Sequence, residues 1–108
     1  MKYLCLAYGD EKDWKALSKS EQDALLAQDE VLRKRGDLVA SVRAGTTVRM
    51  VDGEVTATPG SFASGRVPFV GFGLVEARDL DEAIALVSKT PCVGAKGAVE
   101  VWPVVEKP

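Results

Sequence analysis

Residues Lys2 to Tyr8 predict a strand with no polar face. Alternation sets Tyr3, Cys5 and Ala7 on one side and Leu4, Leu6 and Tyr8 on the other. A strand apolar on both sides belongs in the middle of a sheet that is covered on both faces. The rest of the chain has to supply that cover. With 108 residues in all, it holds material for a single domain over residues 1–108 with one modest core.

Two helices are expected. Ser18-Lys19-Ser20-Glu21 fits a capping box, with Ser18 as N-cap and Glu21 reaching back. Ala24, Leu25, Gln28, Val31 and Leu32 follow as a helical stripe, and Lys34-Arg35-Gly36 ends it. The second helix starts at Asp79 with Glu82 three residues on, runs a stripe of Leu80, Ala83, Ile84 and Val87, and stops at Pro91. Further strands are expected at Leu38–Val42, Phe69–Ala77 and Val99–Val105. Asp52-Gly53 between two alternating runs predicts a type I′ hairpin joining Thr46–Val51 to Glu54–Thr58. Pro59 to Pro68 is turn-rich, and Gly71 and Gly73 alternate with Val70, Phe72 and Leu74, a sign of close packing on the glycine side.

The order β-α-β-β-β-α-β is that of a ferredoxin-like α+β fold: an antiparallel sheet with an added hairpin strand and both helices on one face. The other face, taken to be that of Tyr3, Cys5 and Ala7, is then left bare. The economical cover is a second copy packed sheet to sheet in a homodimer.

Composition bears on function chiefly by exclusion. There is no histidine, which removes Ser-His-Asp and Cys-His catalysis, His-liganded metals and an imidazole switch near pH 7. A net charge of −2 offers no basic surface for nucleic acid. No stretch has the length of a signal peptide or a membrane span, and Cys5 and Cys92 fit neither a zinc spacing nor a redox pair. The expectation is a cytoplasmic protein without a disulfide, metal or cofactor.

Met1–Glu11, Ala16-Leu17-Ser18, Thr46-Thr47-Val48-Arg49, Glu76–Ile84 and Val99-Glu100-Val101-Trp102-Pro103 resemble the YCII-related, DGPF-domain family in the same order across nearly the whole chain. The resemblance implies a ferredoxin-like domain that pairs into a dimeric α-β barrel with a cavity between helices and sheet. It implies no settled activity. The family's name-giving stretch, Asp-Gly-Pro-Phe-Ala-Glu, falls on Pro59-Gly60-Ser61-Phe62-Ala63-Ser64, so both of its acidic positions are replaced. Where many relatives carry a histidine after the glycine that ends the first helix, this chain has Asp37. Read together, these changes count as three losses in one site and remove the acid–base pair suspected in relatives.

Other polar residues are candidates for chemistry. Asp10, with Glu11 and Asp13, closes the first strand, although adjacent carboxylates in a turn are commonly just solvated. Arg49 shares a strand face with Thr47 and Val51, and Arg66 sits in the altered loop; either guanidinium could meet an anion. Tyr8 can donate a hydrogen bond. Ser61 and Ser64 have no base partner in the sequence. Trp102 stands where relatives often have arginine, and Phe62 is an aromatic anchor in the loop.

Three readings follow: a homodimeric ligand-binding or structural protein, a cofactor-free enzyme acting on a small organic molecule, and a regulatory protein-interaction module. Ligand binding or catalysis needs a cavity of roughly 300 Å3 or more with convergent polar groups. A purely structural dimer needs that volume filled by Phe62, Phe69, Phe72 and Trp102. An interaction module needs an apolar patch outside the dimer seam.

Overall fold

The structure, a computed structural model, describes residues 1–63 and 65–105. Ser64 therefore lies outside the described residues. The chain forms β1 (Lys2–Tyr8), α1 (Glu11–Lys15), α2 (Lys19–Lys34), β2 (Leu38–Ser41), β3 (Thr46–Val51), β4 (Glu54–Pro59), β5 (Phe69–Glu76), α3 (Leu80–Val87), α4 (Pro91–Gly94) and β6 (Ala98–Pro103). Four strands make one sheet in the order β2-β5-β1-β6, and every neighbouring pair is antiparallel. Two strands separated by a helix thus straddle a third, the ferredoxin-like arrangement. β1 is central, as its two apolar faces require.

The local signals are realised where they were expected. Ser18 accepts from the Glu21 amide at 3.1 Å while Glu21 accepts from the Ser18 amide at 2.9 Å, closing the capping box. Asp79 accepts from the Glu82 amide at 2.9 Å and caps α3. The turn residues Asp52 and Gly53 have φ of 51° and 79°, the left-handed pair that a type I′ hairpin demands. Two short helices are additional. α1 forms in the acidic stretch after β1, with Asp10 as its N-cap. Pro91 stops α3 and, at the first position of α4, starts a new turn.

Four expectations about placement are corrected. The hairpin adds no strand to the main sheet; β3 and β4 pair only with each other among the described residues. The face of Tyr3 and Cys5 is the helix-covered one: Tyr3, Cys5 and Val75 pack with Leu32 of α2 and with Ala83 and Val87 of α3. The bare face carries instead Leu4, Leu6, Phe72 and Leu74, aligned across β1 and β5, with Leu38 and Trp102 beside them. The stripe of α2 is also rotated. Leu25, Gln28, Asp29 and Leu32 turn inward, whereas Ala24 and Val31 are exposed. On α3, Ala83 and Val87 are buried and Leu80 and Ile84 are exposed. An eight-residue helix is too short to bury a broad stripe against a narrow sheet.

Candidate functional site

A cavity of about 460 Å3 opens between the helices and the sheet. Its floor is made of small residues: Ala7 on β1 and Gly71 and Gly73 on β5. The glycines answer to β2. A Cβ on Gly71 would stand 2.8 Å from the Ala40 carbonyl oxygen, too close for any side chain there. The space that bulkier floor residues would have filled is left open. Leu32, Val87 and Val99 supply apolar wall, with Trp14 of α1 also lining the cavity.

Polar groups enter from three elements. Asp10 and Glu11 come from the start of α1, Asp29 and Arg33 from α2, and Thr90 and Cys92 from the segment around α4. Most are engaged. The Asp10 carboxylate accepts from the Lys12 amide at 2.9 Å, Glu11 pairs with Lys15 at 3.1 Å, and Thr90 donates its hydroxyl to the Val87 carbonyl at 2.6 Å. Arg33 pairs with Glu30 at 2.5 Å. Gln28, beside Asp29 on the inward stripe, donates its amide to the Leu86 carbonyl at 2.7 Å and so ties α2 to the end of α3. Asp29 makes no hydrogen bond or ion pair with another described residue.

The electrostatics follow from burial. Removal from water pushes the Asp29 carboxyl above the usual aspartate range; the Arg33 charge pulls it down and the Glu30 charge pushes it up again. Burial also raises the Cys92 thiol, aided by the negative charge of Asp29, and raises Cys5 similarly. Both cysteines are free and line the cavity. A thiol pushed upward stays protonated at neutral pH and is a weak nucleophile. Among the described residues no cluster of carboxylates and thiols is arranged to hold a metal ion.

Of the polar residues singled out in the sequence, Asp10 and its neighbour Glu11 line this cavity, and the other described ones sit as follows. Tyr8 lies on the bare sheet face and donates to Glu100 at 2.8 Å; Trp102 donates to the same carboxylate at 3.3 Å. Asp37 is a structural clasp, accepting from Arg35 at 2.7 Å and from the Glu76 amide at 3.0 Å. Arg49 stacks over the Phe62 ring at 5.3 Å on the outlying hairpin. Ser61 donates to the Ala63 carbonyl at 3.0 Å, a turn contact. Arg66 is exposed in the loop. Ser61, Ala63 and Gly65 join Leu6, Tyr8 and Phe69 around a smaller hollow of about 290 Å3 on the bare face.

These positions separate Asp37 from the described part of the altered loop. Asp37 bonds to Glu76 at one end of β5, and the altered loop enters β5 at Phe69, the other end. At roughly 3.3 Å per residue the two lie about 20 Å apart along the sheet. Within one chain they cannot serve one reacting molecule.

Asp29 and Arg33 were not singled out from the sequence, and Cys92 was weighed there only as a zinc ligand or disulfide partner. The signal for Asp29 was present: Leu25, Gln28, Asp29 and Leu32 keep the i, i+3, i+4, i+7 spacing of an inward face. Two polar residues within that spacing mark a helix face that meets something other than a dry core.

The fold and the cavity define a ferredoxin-like α+β domain with a cleft between its helices and an antiparallel sheet. The YCII-related domain family matches residues 1–107, and the chain belongs to that family. No curated protein matches it. Among solved structures, it is similar to 5-chloro-2-hydroxyhydroquinone dehydrochlorinase from Burkholderia phenoliruptrix in complex with 2,5-dihydroxybenzoquinone. That comparison covers 98% of this chain and 97% of the other, at 19% identity and a TM-score of 0.46. No helix among the described residues is long and apolar enough to cross a membrane.

Proposed function

We propose that this YCII-family protein binds a small, mainly apolar organic molecule in the cleft between its helices and its sheet. The observation that carries this reading is the unfilled volume, about 460 Å3 with apolar walls and a few convergent polar groups. Of the aromatic residues that would fill it in a purely structural protein, Phe62 and Trp102 are 73% and 53% exposed and Phe69 lines the other hollow, while Phe72 borders the cleft and leaves its volume open. Two raised, protonated thiols favour binding over nucleophilic catalysis in the cleft.

The bare sheet face supports a homodimer in the same proposal. Leu4, Leu6, Leu74 and Phe72 lie side by side there, and a second copy would cover them with matching residues under two-fold symmetry. The Glu100 carboxylate already accepts from Tyr8 and Trp102, so it could enter that seam with hydrogen bonds in place. Free Cys5 and Cys92 agree with a reducing, cytoplasmic setting.

The test is a thermal-shift and NMR screen of the wild-type protein against small aromatics, cyclic alcohols and organic acids. Ala7→Leu and Ser41→Phe, each adding bulk at the cleft, are run alongside. The expected result is a ligand that raises Tm and perturbs the Ala7, Gly71 and Ala95 amides, with both effects lost in the filled variants. A ligand effect that survives both variants would place binding elsewhere.

A further inference from the structure

We propose that Asp29 is the polar anchor of the cleft and that the molecule it holds is a neutral one with an apolar body and a hydroxyl group. This deepens the reading of the cleft as a ligand site and rests on it. The choice of Asp29 comes from accounting for every carboxylate that lines the cavity. Asp10 is occupied by the Lys12 amide and Glu11 by Lys15. Asp29 has no partner among the described residues, yet the α2 stripe turns it inward, between Leu25 and Leu32 in the helical order. Gln28 shows how a polar residue on that stripe is ordinarily accommodated, by a bond to a neighbouring backbone carbonyl. Asp29 lacks such a bond and faces the open volume instead. The carboxyl is half-buried and keeps its contact with solvent through the open cleft, where a polar group entering the cleft can take the place of water.

The chemistry of the partner follows from the surroundings. Leu32, Val75, Val87 and Val99 accept an apolar body. Burial raises the Asp29 carboxyl, and a partner has to meet that carboxyl in whichever protonation state it holds. A hydroxyl does so, because it accepts from a neutral carboxyl and donates to an ionised one. An ammonium serves only the ionised form and costs far more to bring between apolar walls. Arg33 also lines the cleft, and its positive charge near Asp29 further disfavours a cation.

The experiment compares matched probes on the full chain by NMR titration: phenol against toluene, benzyl alcohol against ethylbenzene, and benzylamine as the cationic control. Wild-type protein is expected to bind each alcohol about tenfold more tightly than its hydrocarbon partner and to bind benzylamine more weakly than benzyl alcohol. Asp29→Leu should erase the preference while leaving hydrocarbon binding intact. Asp29→Asn, which keeps a hydrogen-bonding group, should retain part of the preference. Equal binding of alcohol and hydrocarbon, a preference that survives Asp29→Leu, or tightest binding of the amine would overturn the role of Asp29 and leave the cleft as a ligand site. Absence of cleft perturbation by every probe would overturn both readings together.

Discussion

Two aspartates eight residues apart on the chain have opposite fates. Asp37, with a side chain only 5% exposed, holds Arg35 and the Glu76 amide, while Arg35 also reaches the Glu76 carbonyl at 2.8 Å. Asp37→Ala should therefore destabilise the protein by about 2 kcal/mol, the usual loss for hydrogen bonds to a charged group. It should leave ligand-induced shifts in the cleft unchanged, which denaturant titration and NMR together would establish. Asp29 is the reverse case. Its folded-state pKa is raised, so the folded protein holds its proton more tightly than the unfolded chain does. Stability then falls as pH rises from the ordinary aspartate range through the raised value, and levels off above it. Asp29→Asn should be more stable than wild type near neutral pH and should show no such advantage at about pH 3, below the ordinary aspartate pKa. Urea midpoints measured across that range check the sign.

At the level of elements, the main sheet and the hairpin differ in what holds them. β1 is bonded on both sides and buries Tyr3 and Cys5 under the helices. The β3–β4 hairpin stands apart, closed at its base by the Gly60 amide on the Gly45 carbonyl at 2.9 Å. Val48 and Met50 on one strand face Ala57 and Val55 on the other, and all are exposed. A lone two-stranded hairpin is marginal in water. Its amides at Val48 and Met50 should exchange with solvent much faster than those of β1, by hydrogen exchange followed by NMR. Protection equal to that of β1 would mean that another surface covers the hairpin. The floor of the cleft makes a second element-scale prediction. Gly71→Ala forces β2 and β5 apart at the Ala40 carbonyl and should cost roughly 1–3 kcal/mol, the range for overpacking a tight site. Thermal denaturation would read that loss.

For the whole molecule, the question is what the two faces of one sheet are for. One face carries the helices and the cleft; the other shows Leu4, Leu6 and Leu74 half-covered. In the proposed homodimer that face is the seam, and Leu74→Glu would set a carboxylate from each copy into apolar surroundings. The expected outcome is a dimer for the wild type and a monomer for Leu74→Glu in size-exclusion chromatography with light scattering at micromolar concentration. A wild-type monomer under those conditions would remove the dimer from the proposal while leaving the cleft, which is formed within a single chain.

The amino-acid sequence by itself determined the strands, the two longer helices, their order and the family, but not the short helices α1 and α4. Capping boxes, a positive-φ turn and a period-two strand are satisfied within three or four residues, so their signals are legible without knowing what packs on what. That is why Ser18, Asp52-Gly53 and Asp79 did in the fold what their positions announced. Only the tertiary structure decided which face of β1 meets the helices, that the hairpin stays out of the sheet, and that Asp37 is clasped while Asp29 looks into a cavity. Those outcomes depend on pairing and rotation between segments far apart in the chain. Both faces of β1 are apolar, and the stripe of α2 could be drawn two ways, so alternation alone could not choose between them. The absence of histidine rules out much chemistry, and in the proposed reading the cleft relies on the Asp29 carboxyl. Its place on an inward helix face became visible once α2 was seen lying on the sheet.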